Sequence, residues 1–109
     1  MTDYSELREE FHAVSNFLLI LGDEKRQAIL IRLLEESSCE GLQVSDLIEA
    51  TGLSRPAISH HLKLLKDANL VDYRSKGTRN FYYLKHETTE LIHLRNFLDK
   101  VIDVMDKNF

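Results

Sequence analysis

The stretch that decides the fold is Thr51-Gly52-Leu53-Ser54-Arg55-Pro56-Ala57-Ile58-Ser59-His60-His61-Leu62-Lys63-Leu64-Leu65. Gly52 favours the left-handed backbone conformation that ends a short helix before it. Ser54 is a good N-cap for the next helix, and Pro56 fits the first turn because its missing N–H has no partner there. Two helices joined by a short glycine-containing turn predict a helix-turn-helix over residues 45–68.

The two helices of this pair have recognisable ends. Residues 42–44 are expected to be extended, and Ser45 is expected to cap the first helix. The second helix should run to about Ala68, and Asn69 should then take the left-handed conformation that commonly follows a helix.

The second helix of the pair has two different faces. Ile58, Leu62 and Leu65 recur at helical spacing and are predicted to pack on the domain. On the opposite face lie Arg55, Ser59, His60 and Lys63. These side chains can reach base edges or phosphates, so this helix is typical of one that reads a DNA groove. His61 lies one turn from Ile58 and from Leu65 and is expected to be structural.

A β-hairpin, called here the wing (residues 71–84), is predicted next. Residues 71–76 and 79–84 are rich in Val, Tyr and Phe. The tip, Lys76-Gly77-Thr78-Arg79, places two cations beside a glycine that permits close approach to a DNA backbone or minor groove. Strand alternation explains four aromatic residues as hairpin packing: Tyr73, Phe81, Tyr82 and Tyr83.

Amphipathic helices are predicted at both ends of the chain, over residues 1–21 and 87–108. Their apolar residues step by three and four, as in a coiled coil. We expect these stripes to pair across a two-fold axis, although packing on the back of the same domain would also cover them. The residues predicted at this dimer interface are Leu7, Phe11, Val14, Leu18, Leu91, Leu94, Leu98 and Val101.

One more helix is predicted between the N-terminal helix and the helix-turn-helix. Gly22 ends the first helix, and Asp23 caps the second, which covers roughly residues 24–36. Its apolar stripe is Ile29, Leu30, Leu33 and Leu34. The whole order predicts one domain over residues 1–109, mainly α with a small β-hairpin wing: a winged helix-turn-helix dimerised through its N- and C-terminal helices.

Charge is unevenly distributed along the 109 residues, whose net charge is −4. Residues 54–85 hold seven basic and two acidic side chains, a local charge of +5, whereas the remainder holds seven basic and sixteen acidic ones, or −9. A basic segment in an acidic chain fits a footprint for nucleic acid, and it equally fits a solvated face on which charges cluster by chance.

Several short motifs resemble those of the ArsR/SmtB bacterial transcriptional repressors over roughly residues 21–84. They are Val44-Ser45-Asp46-Leu47, Thr51-Gly52-Leu53-Ser54, the run from Ala57 to Leu65, Ala68-Asn69-Leu70-Val71, Lys76-Gly77 and Phe81-Tyr82-Tyr83-Leu84. The resemblance implies a homodimeric repressor that binds double-stranded DNA at an imperfect inverted repeat and is released by an effector, which stays unidentified. The residues predicted to contact DNA are Ser54, Arg55, Ser59, His60, Lys63, Lys76, Thr78 and Arg79.

The positions at which members of this family bind metal hold few ligands here. Gln43 and Ser45 replace the Cys-x-Cys pattern of some members. Matched to another ligand set are His86, Thr88, Asp99 and Ile102, of which two are plausible ligands. Glu90 and His93 share a helical face, but such pairs are usually solvated or ion-paired. We therefore predict no metal and no cofactor. Cys39 has acidic neighbours and is expected to be inert.

Other classes of protein fit the sequence less well. A single cysteine favours a reducing cytoplasm, and no apolar run approaches the length of a membrane helix. The motifs of common enzyme active sites are absent, so no enzymatic activity is expected. Two alternatives stay open: a protein–protein adaptor built on a winged helix without DNA binding, and a repressor with an atypical metal or small-molecule site between the end helices.

Overall fold

The computed structural model describes residues 3–36 and 38–109. Its elements are α1 (Ser5–Leu21), α2 (Glu24–Glu35), a 3₁₀ turn (Val44–Leu47), α3 (Ile48–Thr51), α4 (Arg55–Asp67), β1 (Val71–Lys76), β2 (Arg79–Leu84) and α5 (Thr89–Asn108). The prediction of a mainly helical fold with a two-stranded wing is confirmed. The chain packs as two compact units, one of residues 20–86 and one of residues 3–19 with 87–109. No helix in the described ranges is both long and apolar enough to cross a membrane.

Helix α2 begins as its sequence predicts. The Asp23 carboxylate accepts a 2.9 Å hydrogen bond from the backbone N–H of Arg26 and so satisfies a donor that the first turn leaves open. This N–H lowers the pKa of the Asp23 carboxyl, because it stabilises the charged form. The helix ends at Glu35, one residue before the predicted end.

The predicted start of the helix-turn-helix is wrong in one detail. Ser45 is not an N-cap, because it lies inside the 3₁₀ turn. Gln43 occupies the cap position, and its backbone N–H donates to the Asp46 carboxylate over 2.8 Å. The extended piece is correspondingly shorter than residues 42–44: Leu42 pairs with Tyr82 as an isolated antiparallel bridge, and Val44 already belongs to the turn.

The core of the unit formed by residues 20–86 is built on α4. Gly52 and Asn69 take the predicted left-handed conformation, with φ of 69° and 62°. Gly52 ends α3, and Asn69 follows the last turn of α4. The largest side chains with almost no exposed surface are Ile29, Leu47, Ile58, Leu62, Leu65 and Val71. In the predicted α2 stripe, Leu34 differs: it is 68% exposed, because its turn of α2 borders an open cavity rather than the core.

The unit formed by residues 3–19 and 87–109 pairs α1 with α5. The Phe11 and Phe97 rings lie 4.8 Å apart between centroids, and Phe97 is 5% exposed. Lys100 forms ion pairs with Glu6, over 3.5 Å, and with Glu10. The aromatic contact and the ion pairs therefore connect α1 and α5 at two places along the helices.

The apolar residues predicted to form a dimer interface differ in exposure. Phe11, Leu18, Leu91 and Leu98 are exposed, and Leu7, Leu94 and Val101 are half-buried. Val14 is only 3% exposed within one chain, so its side chain is already covered. The exposed residues leave α1 and α5 with apolar surface that residues 3–19 and 87–109 do not cover themselves.

Candidate nucleic-acid interface

Helix α4 is anchored firmly on one side. The Ser54 hydroxyl accepts from the backbone N–H of Ala57 over 3.4 Å, as predicted for an N-cap. Ile58, Leu62 and Leu65 have no exposed surface. Because three successive turns are packed into the core, the opposite face of the helix is held in a defined orientation.

The predicted contact residues of the opposite face of α4 and of its N-cap are all exposed: Arg55, Ser59, His60 and Lys63 on the helix, and Ser54 at the cap. Within the described residues, no hydrogen bond or ion pair engages the side chains of Arg55, Ser59 or Lys63. Their donors are therefore available to a ligand. Arg55, Ser59, His60 and Lys63 are exposed along α4 as the sequence predicts, and Ser54 lies at its N-cap.

The wing presents its cations at and near the tip. Lys76 pairs with Arg79 in the antiparallel register, and Gly77 has a φ of 62°. Lys76, Thr78 and Arg79 are exposed. The Lys76 ammonium lies 5.8 Å from the centroid of the Phe81 ring, within reach of a cation–π interaction. The tip is thus a tight turn with two exposed positive charges.

Backbone hydrogen bonds fix the base of the wing to α4. The Leu70 N–H donates to the Leu65 carbonyl over 3.0 Å, and the Lys85 N–H donates to the Leu70 carbonyl over 3.0 Å. Val71 is 1% exposed at the same place. The wing and the polar face of α4 therefore belong to one packed unit and move together.

The aromatic residues of the wing pack as predicted. The Tyr73 and Tyr82 rings lie 5.3 Å apart. Lys66 lies 5.8 Å from the centroid of the Tyr73 ring, and the Arg74 guanidinium lies 4.6 Å from that of Tyr83. Each ring thus has a partner within the chain.

A contact to His61 is the feature of this region that sequence reasoning missed. His61 is half-buried, and its Nδ1 lies 3.1 Å from Nη1 of Arg26 on α2. Nε of the same guanidinium donates to the Ile20 carbonyl over 2.8 Å. The prediction of a structural role for His61 did not include Arg26, because 35 residues separate the two in the chain.

The candidate metal ligands are dispersed. Among the described residues, no three His, Cys, Asp or Glu side chains are grouped closely enough to hold a metal ion. Glu90 is half-buried on α5, and exposed positions are occupied by His86, Thr88, His93, Asp99 and Ile102. Cys39 is an exposed free cysteine whose carbonyl oxygen accepts a hydrogen bond from Arg74.

Comparisons with known proteins agree with this geometry. Residues 23–73 match the bacterial regulatory proteins of the arsR family. The arsenical resistance operon repressor of Staphylococcus xylosus is 35% identical over 83 residues, 76% of this chain and 76% of that protein. An HTH-type transcriptional regulator of Mycobacterium tuberculosis is 44% identical over 80 residues, 73% of this chain and 69% of that protein.

A solved structure shows the same fold. An ArsR-like transcriptional regulator from Rhodococcus sp. RHA1 matches 98% of this chain and 88% of its own, with a TM-score of 0.73 and 24% identity. The predicted winged helix-turn-helix is therefore confirmed. The expectation that the protein is not an enzyme is also confirmed, because the family consists of transcriptional regulators. The chain belongs to the ArsR family of bacterial transcriptional regulators.

Proposed function

We propose that the protein is a cytoplasmic homodimeric repressor of an inverted-repeat operator in double-stranded DNA. Each protomer inserts α4 into a major groove, and its wing reaches the adjacent minor groove or phosphates. Two copies of α4 in a symmetric dimer then lie about one helical turn, ~34 Å, apart, which matches a palindromic site. Relatives that are named operon repressors support repression rather than activation.

The exposed polar face of α4 is the observation that carries this proposal. Arg55, Ser59 and Lys63 have no hydrogen-bond or ion-pair partner among the side chains of residues 3–36 and 38–109, and Ile58, Leu62 and Leu65 behind them are fully buried. On an exposed helix face such side chains are hydrated, and their donors can exchange water for phosphate or base-edge acceptors. Here the donors are held in place and left open, as direct contact with base edges and phosphates requires.

Charge supports the same mode of binding. Arg55, Lys63, Lys76 and Arg79 are the cations of the proposed contact surface, and they lie on the basic segment of an otherwise acidic chain. Phosphate neutralisation by these side chains releases counterions, so binding is expected to weaken steeply with salt. The acidic remainder repels DNA and orients the encounter.

Dimerisation is supported by the apolar surface of α1 and α5. Phe11, Leu91 and Leu98 are between 45% and 55% exposed in one chain. Apolar side chains that repeat along two helices form a surface that a second copy can cover symmetrically. The effector that releases the operator is not identified by these residues, and we expect no metal to be required.

A binding assay on the promoter region upstream of the protein's own gene tests the proposal. We expect fluorescence anisotropy to show saturable binding that Arg55→Ala and Lys63→Ala each weaken about tenfold or more, since a phosphate or base contact contributes ~1–3 kcal/mol. Lys107→Ala is the matched control, because Lys107 is an exposed cation on α5 that pairs with Asp103 and is not among the proposed DNA contacts. Full affinity in both α4 variants, or no salt-dependent binding to any genomic fragment, contradicts the proposal; the second outcome favours the adaptor.

A further inference from the structure

A cavity of about 580 Å³ lies within the unit of residues 20–86, away from the proposed DNA surface. It is bounded by the end of α2, by residues 38–41 and by the wing. Its volume falls in the range of ~300–1,000 Å³ that is typical of small-molecule sites. None of the eight residues proposed to contact DNA lines it.

Most of the cavity wall is apolar. Leu33, Leu34 and Leu84 line it together with Tyr82 and Tyr83. Leu34 is 68% exposed, so it contributes apolar surface to the open side of the cavity. Burial raises the pKa of the Tyr82 hydroxyl, so this ring stays uncharged at neutral pH. A flat apolar group placed here removes this surface from water.

One fixed positive charge lies in this apolar wall. The Arg74 guanidinium donates to the Cys39 carbonyl and lies 4.6 Å from the centroid of the Tyr83 ring, so it is held from two sides. No carboxylate of the described residues pairs with it. A guanidinium has five N–H donors, and one backbone carbonyl leaves most of them open.

The carboxylate that lines the cavity is already engaged elsewhere. Glu36 accepts from the backbone N–H of Ser38 over 3.1 Å and lies 3.7 Å from the Arg32 guanidinium. The Ser38 N–H lowers the pKa of the Glu36 carboxyl, which keeps it ionised and occupied. His86 adds a further exposed N–H donor to the lining. The charge of Arg74 is therefore not neutralised within the cavity.

We propose that this cavity binds a small organic carboxylate with a flat apolar body. The carboxylate pairs with Arg74, whose planar fork matches its two oxygens, and the apolar body packs on Leu33, Leu34 and Leu84. The cavity is distinct from the proposed DNA surface, because its lining includes none of the proposed DNA contacts.

Titration of the full-length protein with 2-naphthoate in the absence of DNA tests this assignment. Calorimetry should give saturable binding, and amide resonances of the lining residues should shift in ¹H–¹⁵N spectra. The neutral isostere 2-naphthamide should bind about tenfold more weakly, because it lacks the charge that pairs with the guanidinium. Acetate should also bind at least about tenfold more weakly, because it lacks the apolar body.

Two variants separate the roles of the charge and the apolar wall. Arg74→Gln should weaken 2-naphthoate binding about tenfold or more, and Leu34→Ser about threefold, since Leu34 supplies contact area only. Arg79→Gln is the matched control, because it removes a cation from the same hairpin but outside the cavity. The affinity of this variant for 2-naphthoate should stay within about twofold of the wild-type value.

The proposal is overturned if 2-naphthoate does not saturate, if the shifted resonances lie outside the cavity, or if the amide binds as tightly as the acid. Equal affinity in the Arg74 variant and the wild type also overturns it. If Arg74→Gln does not fold, two measurements still test the proposal. They are the comparison of 2-naphthoate with 2-naphthamide on the wild-type protein, and the affinity of the Leu34→Ser variant for 2-naphthoate.

Discussion

Nη1 of Arg26 on α2 donates a 3.1 Å hydrogen bond to Nδ1 of His61 on α4, the helix proposed to read DNA. The ring nitrogen is the acceptor, because a guanidinium has donors only. Nε of Arg26 also donates to the Ile20 carbonyl in the last turn of α1, over 2.8 Å. One side chain thus ties the orientation of α4 to the junction between α1 and α2.

Arg26→Gln is expected to lower the free energy of unfolding by about 1–3 kcal/mol, because hydrogen bonds from a charged donor are lost in a partly buried place. It should also weaken operator binding while leaving the salt dependence of binding unchanged, since Arg26 positions α4 and contacts no phosphate. Urea unfolding and anisotropy at several salt concentrations measure both effects.

Arg32→Gln on the same helix is the control for Arg26. Its guanidinium makes a partly exposed i,i+4 ion pair with Glu36, so its loss should cost less than about 1 kcal/mol. A reduced salt dependence in Arg26→Gln would place this arginine on DNA and contradict the positioning role.

Lys63→Ala and Lys76→Ala are expected to make operator binding less sensitive to salt. Each phosphate contact contributes about 0.9 to the slope of log K against log salt, so a symmetric dimer that loses one contact per protomer should lose about 1.8. The slope is read from anisotropy titrations at increasing salt. An unchanged slope in either variant would show that its side chain does not neutralise a phosphate.

Gly41→Ala should destabilise the protein more than Gly77→Ala. Gly41 has a φ of 86°, and a Cβ atom there would lie 2.4 Å from the Tyr82 backbone carbonyl, which belongs to the bridge with Leu42. Gly77 has a φ of 62° but open space around it, so it carries only the left-handed cost of ~1–2 kcal/mol. Urea unfolding of the two variants gives the comparison, and equal losses would argue against the close approach at Gly41.

Asp23 is expected to make stability depend on pH in the acid range. The Arg26 backbone N–H holds the pKa of this carboxyl below its ordinary value of 3.8. The unfolded state therefore binds more protons, so this contribution is present above 3.8 and is lost as pH falls through the folded-state pKa. Urea unfolding across this pH range should show that the free energy of unfolding of the wild type exceeds that of Asp23→Asn by less and less as the pH falls. A difference in free energy that stays constant with pH would contradict the role of the charge.

Leu98→Glu is expected to dissociate the proposed dimer. Leu98 is 48% exposed in one chain, and a carboxylate buried there without a partner costs several kcal/mol, which raises the dimer Kd more than about a hundredfold. Sedimentation equilibrium measures the change. Leu34→Glu, an equally apolar exposed position on α2, should leave the mass unchanged, and a monomeric wild type at micromolar concentration would remove the basis for the dimer.

Local features of the sequence determined most of the fold. Asp23 and Ser54 cap helices by accepting hydrogen bonds from backbone N–H groups three residues away, and Gly52 and Asn69 take positive φ angles. The repeat of Ile58, Leu62 and Leu65 predicted the buried face of α4. These signals are short-range, so the residues that produce them are neighbours in the chain.

Only the tertiary structure decided which distant groups meet. Arg26 contacts His61 across 35 residues, and Arg74 reaches the Cys39 carbonyl across 35 residues in the other direction along the chain. The helix-turn-helix starts at Gln43 rather than Ser45, directly after Leu42, which forms a bridge with the distant Tyr82. Such contacts depend on how the helices and the wing pack against each other. The periodicity and capping of one helix or strand do not indicate which distant residue its side chains will contact.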